Sequence, residues 1–177
     1  MIPNDQSGFL EQIQTAVKPL IAGGEFHLEP ISLEYYDGDV RVELRSSQMD
    51  IIFLNTMRIN TRVDCIFKVH SIKKVFFSKY LYPALNIPVT INNGDFIMNY
   101  ANPITKDNPD KYYVEIDYLL QKSGLIRELN RQCIAIHENL SEIRTLLNSD
   151  NIDETLVLYI AELKRHGNSE EWLYVKI

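Results

Sequence analysis

Four histidines, two cysteines and one tight group of carboxylates are the side chains of this 177-residue chain with the types needed for nucleophilic, acid–base or metal chemistry. His137-Glu138 opens like the helix motif of zinc proteases, which needs a second histidine one turn later. Position 141 is serine, so that face lacks its second ligand. His27, His70, His137 and His166 stand far apart, with no two at ligand spacing. Cys65 and Cys133 are separate thiols, each on an apolar pattern, where cysteine is usually a small inert hydrophobe. Glu34, Asp37 and Asp39 could offer oxygen ligands to a hard cation. Their spacing is not that of a calcium loop, and Asp37-Gly38 accounts for them as hairpin chemistry. The glycines are scattered, Gly23-Gly24 is not followed by the lysine and hydroxyl residue of a phosphate loop, and no Gly-x-Ser-x-Gly elbow occurs. These residues name no catalytic group, cofactor or metal.

The least ordinary feature is a charge asymmetry. No acidic residue occurs from Cys65 through Gly94, whereas Lys68, Lys73, Lys74 and Lys79 all do. Phe76, Phe77, Tyr80 and Tyr82 interleave with them. Lysines attract phosphate and aromatic faces stack bases, so the stretch fits a single-strand nucleic-acid surface or an anionic partner. The simpler reading is a strand or helix whose aromatics lie buried beneath a solvated lysine rim. Asp150, Asp153, Glu154, Glu170 and Glu171 make the C-terminal end acidic, and such bipolarity suits docking to a charged protein or self-association. Lys68, Lys73, Lys74, Lys79, Tyr80 and Tyr82 are the candidate partner-binding residues.

These groups must be positioned by elements whose patterns are clearer than their chemistry. From Asp39 to His70, polar and apolar residues alternate: Val40, Val42 and Leu44 point one way, Arg41, Glu43 and Arg45 the other. Further runs at Asp50–Asn55 and Thr61–His70 complete a meander with one dry and one wet face. Phe26–Tyr36 reads as the strand before it, joined through Asp37-Gly38. Phe9, Leu10, Ile13, Val17, Leu20 and Ile21 recur at helical spacing and predict an N-terminal helix stopped by Gly23-Gly24. Pro19 predicts a kink, or an end near Val17. A hairpin is expected from Ile87–Ile91 and Phe96–Tyr100 around Asn92-Asn93-Gly94. Ile72–Tyr82 fits neither period cleanly. Lys111–Leu120 carries a good helix start at Asn108-Pro109, yet its tyrosines and β-branched residues favour a strand, the reading adopted.

After Gly124, the residues Leu125, Leu129, Cys133, Ile136, Leu140, Ile143 and Leu147 step by fours and threes, the strongest helical stripe in the chain. A turn over Asn148–Asn151 leads to a second helix bearing Ile152, Leu156, Tyr159, Ile160 and Leu163 and closing at Gly167. Glu171–Ile177 alternates in the manner of an edge strand.

The expected fold is therefore α+β: an N-terminal helix on a mainly antiparallel sheet, then a helical hairpin and a terminal edge strand. It forms one domain over 1–177, sheet-rich to 120, helical over 124–167, with a tail from 168. The net charge of −6 disfavours a general phosphate-backbone binder. Met1 to Ser7 lacks a signal peptide's basic start and apolar core, no run approaches the ~20 apolar residues of a membrane span, and the unpaired thiols suit a reducing cytoplasm. The function expected is a non-enzymatic protein-binding module acting on another protein or on itself. Bacterial toxin-neutralising (immunity-like) proteins and regulatory interaction proteins share this general character. The alternatives are an enzyme whose site assembles only in three dimensions, and a nucleic-acid-binding module using Lys68–Tyr82.

Overall fold

A computed structural model describes residues 6–34, 39–56, 63–88 and 109–176. Helix α1 spans Gln6–Ile21. Its apolar face, Phe9, Ile13, Ala16, Val17 and Leu20, is buried at the spacing of one helical stripe. Pro19 neither ends nor shortens the helix. So near the terminus a proline removes only one intrahelical donor, and Ala22 still donates to the Lys18 carbonyl at 3.0 Å. Gly24 then adopts φ +76°, the left-handed geometry that stops the chain, and its N–H reaches the Ile21 carbonyl.

The expected first strand is broken in two. β1 (His27–Leu28) and β2 (Ser32–Glu34) flank Pro30, and both pair antiparallel with β3 (Asp39–Arg45). A proline cannot donate to a ladder, so this edge is short and interrupted. β4 (Met49–Thr56), β5 (Asp64–Val69) and β6 (Lys74–Phe77) continue the meander, giving the order β1–β3–β4–β5–β6, with β2 also paired to β3. Every pairing is antiparallel, in the registers Val42↔Phe53, Ile52↔Ile66 and Lys68↔Val75.

Alternation then separates two environments. Val40, Val42, Leu44, Met49, Ile51, Phe53, Cys65, Phe67, Val69 and Phe76 enter the main core. On the opposite face Arg41, Glu43 and Arg45 form a charged ladder on β3. There the Glu43 carboxylate meets Arg41 Nη2 at 2.8 Å and Arg45 Nη2 at 3.0 Å. Burial works against that carboxylate, but the two guanidiniums outweigh it and hold Glu43 below its ordinary value. Nearer β6 the same face turns apolar, where Ile52, Ile66, Val75 and Phe77 make a second cluster under Leu54, Tyr80 and Trp172.

Helix α2 (Ser78–Leu85) starts directly from β6 and ends at Asn86, whose φ of 53° suits asparagine. So Ile72–Tyr82 is a strand followed by a helix, which is why neither period fits the whole of it. Helix α3 covers Pro109–Leu146. This corrects the strand reading of Lys111–Leu120 and moves the start of the helical part from 124 to 109. Pro109 occupies the first helical position, which tolerates its missing N–H, and extension of an existing helix adds one hydrogen bond per residue. Those gains exceed the weak strand preference of the tyrosines and the ~1 kcal/mol cost of Gly124. The stripe from Leu125 to Leu147 is buried as expected except for the half-buried Leu140, and α3 packs against α1. Helix α4 (Ile152–Arg165) packs against α2 and closes at Gly167, φ +75°.

The tail forms a 3-10 helix over Glu170–Tyr174, not an edge strand. Its alternation has another cause: Trp172 packs on the outer cluster while Leu173 is buried in the main core, so the tail clasps β6. The hairpin expected over 87–100 lies outside the described residues from position 89, as do Asp37-Gly38 and residues 61–62 of the third run. Among the described residues no helix is long and apolar enough to cross a membrane.

Candidate functional site

The β5–β6 hairpin and the start of α2 carry all six candidate residues, in three different settings. The register Val69↔Lys74 leaves His70–Lys73 as the connecting turn, and Lys73 closes it at φ 52°, exposed at the tip. A non-glycine residue there bears steric strain from its Cβ. Lys68 lies on the outer face between Asp50 of β4 and Val75 of β6. Lys74 begins β6, with Nζ 5.5 Å from the ring centre of Tyr174 in the tail. Lys79 and Tyr80 come next, in the first turn of α2. Lys79 Nζ lies 3.5 Å from Asp64 Oδ1 and within 5.5 Å of the ring centres of Phe77, Tyr80 and Trp172. Tyr80 is half-buried, and its hydroxyl accepts a hydrogen bond from Asn168 Nδ2 at 2.9 Å.

Tyr82 departs from this surface. It is 4% exposed, meets Phe67 edge-on at 6.2 Å, and burial pushes its phenol well above the ordinary value. Helical spacing explains it: Ser78, Leu81 and Tyr82 share the buried face of α2 at i, i+3 and i+4, whereas Tyr80 lies about 200° around the helix from Tyr82. The fold therefore unites Lys74, Lys79 and Tyr80 through the tail, sets Lys68 and Lys73 along the hairpin, and assigns Tyr82 to the core. Trp172, Tyr174, Asp64 and Asn168 complete this region and escaped the sequence reading. Trp172, the sole tryptophan, was the available signal.

Among the acid–base candidates, Asp50 and His70 meet from the ends of adjacent strands. Asp50 is buried and its Oδ1 lies 2.9 Å from His70 Nε2, while His70 Nδ1 faces the Ser47 carbonyl at 3.2 Å. Both ring nitrogens are thus spent on the protein, so the pair braces the hairpin and leaves neither nitrogen aimed at a substrate. At the end of α4, Glu162 accepts from Arg165 at 2.6 Å and lies 3.0 Å from His166. The Arg165 hydrogen bond, aided by His166, holds that carboxyl below its usual range against a smaller opposing effect of burial.

Cys65 and Cys133 are buried on facing elements. Burial pushes both thiols up, Cys133 to about 12, and a protonated thiol is a poor nucleophile. His137 is exposed on α3 and His27 on β1. Among the described residues no group of three His, Cys, Asp or Glu side chains is placed to hold a metal ion. An open groove of about 690 Å³ runs between α1 and α3, lined by Glu11, Gln12, Thr15, Arg127 and Asn130. Those lining residues are all exposed on the helix surfaces, so the groove lacks the buried polar groups that orient a substrate. No protein-family model, curated protein or solved structure matches the chain.

Proposed function

We propose that this protein acts by binding another protein, through the cationic β5–β6 hairpin and the aromatic tail beside it. The observation that carries the reading is Lys74 Nζ, 5.5 Å from the ring centre of Tyr174, an exposed tail side chain (63%) followed by the exposed Val175 (41%), with Lys73 preceding Lys74 at the hairpin turn. Neither lysine has an acidic partner among the described residues. An exposed ring beside an ammonium group, with a second lysine next in the turn, suits a partner that offers both acidic and apolar groups. Tyrosine supports this role because it contributes contact area at small entropic cost. The buried thiols, unpaired in a disulfide, support a reducing, cytoplasmic setting for the encounter. A toxin-neutralising or regulatory interaction protein is the class proposed.

Nucleic acid is the weaker reading. Phe76, Phe77 and Tyr82 are each under 9% exposed, which leaves few open ring faces for base stacking.

The test is affinity capture from the native host with wild-type protein, with Lys73→Glu plus Lys74→Glu, and with Tyr174→Ala. The same co-purifying protein should be lost in both variants and retained in a Lys18→Glu control on α1. Recovery of the chain alone at monomer mass would refute the reading. Equal capture by all forms would refute the surface. Retention on a nucleic-acid column that collapses with salt, and with the charge reversals, would move the assignment to nucleic acid.

A further inference from the structure

Lys79 is enclosed to a degree unusual for a lysine at the start of a helix: its side chain is 18% exposed. Its Nζ lies 5.5 Å from the ring centre of Phe77, 5.1 Å from Tyr80 and 5.4 Å from Trp172, with Asp64 Oδ1 at 3.5 Å. The rings stand as separate walls. Trp172 meets Phe77 at 5.2 Å and 62°, and Tyr80 at 6.0 Å and 84°. Aromatic faces turned toward one ammonium, with a carboxylate beside them, have the composition of a cation-binding box. Here the box is filled by the chain's own lysine.

Three walls of this box belong to the body of the fold: Phe77 ends β6, Tyr80 lies on α2 and Asp64 starts β5. The fourth, Trp172, belongs to the tail, which contacts the body along β6. Asn168 meets Tyr80, and Lys74 lies over Tyr174, on either side of Trp172. Taking an ammonium out of water is unfavourable unless other groups replace its hydration. With Trp172 gone, Lys79 would lose one of three rings. With the charge gone, Trp172 would keep only its apolar contact. The two side chains therefore depend on each other.

We propose that Lys79 is a charge-dependent latch that holds Glu170–Tyr174 as a strap over β6 and the Ile52–Ile66–Val75–Phe77 cluster. Neutralising the ammonium opens the strap and uncovers that edge. The latch stands whether or not the hairpin binds a partner.

The experiment is hydrogen exchange of the full-length protein, read over residues 74–77 and 168–176, together with the emission of Trp172. Amides of β4 serve as the reference for an intact core. Lys79→Met keeps the length and apolar stem of the side chain while removing its charge. It should raise exchange in both segments about tenfold and shift the emission to the red. Lys79→Gln repeats the test with a polar neutral group, and Lys79→Arg should stay within about twofold of wild type. In a Trp172→Leu background, Lys79→Met should add less than about twofold, because its ring partner is already lost. Wild-type protection in Lys79→Met and Lys79→Gln would overturn the latch. So would an Arg variant as open as the Met variant, or an undiminished effect of Lys79→Met in the Trp172→Leu background.

Discussion

Tyr159 ties α4 to the end of the sheet through a hydrogen bond, and Tyr159→Phe isolates what its hydroxyl contributes. The residue is fully buried on α4. Its hydroxyl oxygen accepts the Phe77 N–H at 2.9 Å, and its ring meets Phe76 edge-on at 5.0 Å and Tyr80 at 6.5 Å. Phe77 is the last residue of β6 and the residue from which α2 starts, so its N–H has neither a strand beyond β6 nor a helical carbonyl to use. Removing one oxygen leaves the ring contacts in place and strands this N–H in an environment where Phe77 is 8% exposed. A buried donor left without its acceptor costs about 1–3 kcal/mol, far more than the void of a single atom. We expect a loss of about 1–2 kcal/mol, near the lower part of that range because Phe77 is not wholly enclosed.

For a chain of this size that loss lowers Tm by about 3–6 °C. Urea unfolding followed through Trp172 supplies the free energy, and amide exchange at Phe77 supplies the location. Tyr80→Phe is the matched control. Its hydroxyl accepts from Asn168 in a half-exposed place where water can substitute, so its cost should stay within about 0.5 kcal/mol. A Tyr159→Phe protein within about 0.3 kcal/mol of wild type, with Phe77 exchange unchanged, would refute the argument that this hydroxyl anchors the sheet edge.

Stability should also fall in alkali. The Cys133 thiol is pushed from 9.0 to about 12, and Cys65, Tyr82 and Tyr159 are raised in the same direction by burial. The unfolded chain therefore loses these protons first, so the stabilisation is whole below about pH 9 and declines above it. Each thiol contributes a slope of about 1 kcal/mol per pH unit, and denaturant midpoints at pH 8 and 10.5 should show a smaller loss in Cys133→Ala than in wild type. At the hairpin tip, Lys73→Gly should stabilise by about 0.5 kcal/mol and Lys73→Val should destabilise by about 1 kcal/mol, since φ 52° penalises a Cβ and a branched one most. Calorimetry giving the opposite order would refute that account. Asn148→Ala should cost about 1 kcal/mol in thermal unfolding, because its Oδ1 accepts from the amides of Asp150 and Asn151, both at 3.1 Å, as the chain enters α4.

The parts of the fold that were legible in the sequence are those decided by a local period. Val40-x-Val42-x-Leu44 places one face of β3 in the core whatever its neighbours are, and the stripe from Leu125 to Leu147 does the same for α3. Lys111–Leu120 was misread because residue preference and helix extension oppose each other there, and the decisive quantity is the length of helix to which it is joined. The tail was misread for a different reason. Trp172 and Leu173 do alternate between two environments, but these are the two sides of a clasped strand edge, and a 3-10 turn delivers them as well as a strand would.

The six candidate residues expose the same divide. Net charge and composition single out the segment, since they are sums over neighbours in sequence. They could not assign Tyr82 to the core, because that depends on where α2 starts, and the start is fixed by β6 ending at Phe77. Nor could they find Asp64 and Trp172 beside Lys79, a meeting drawn from β5, α2 and the tail. A lysine read as a free surface charge is, once folded, enclosed by aromatic rings and a carboxylate. The cationic surface available to a partner therefore narrows to Lys68, Lys73 and Lys74, and the partner reading stands on the hairpin tip more than on the helix that follows it.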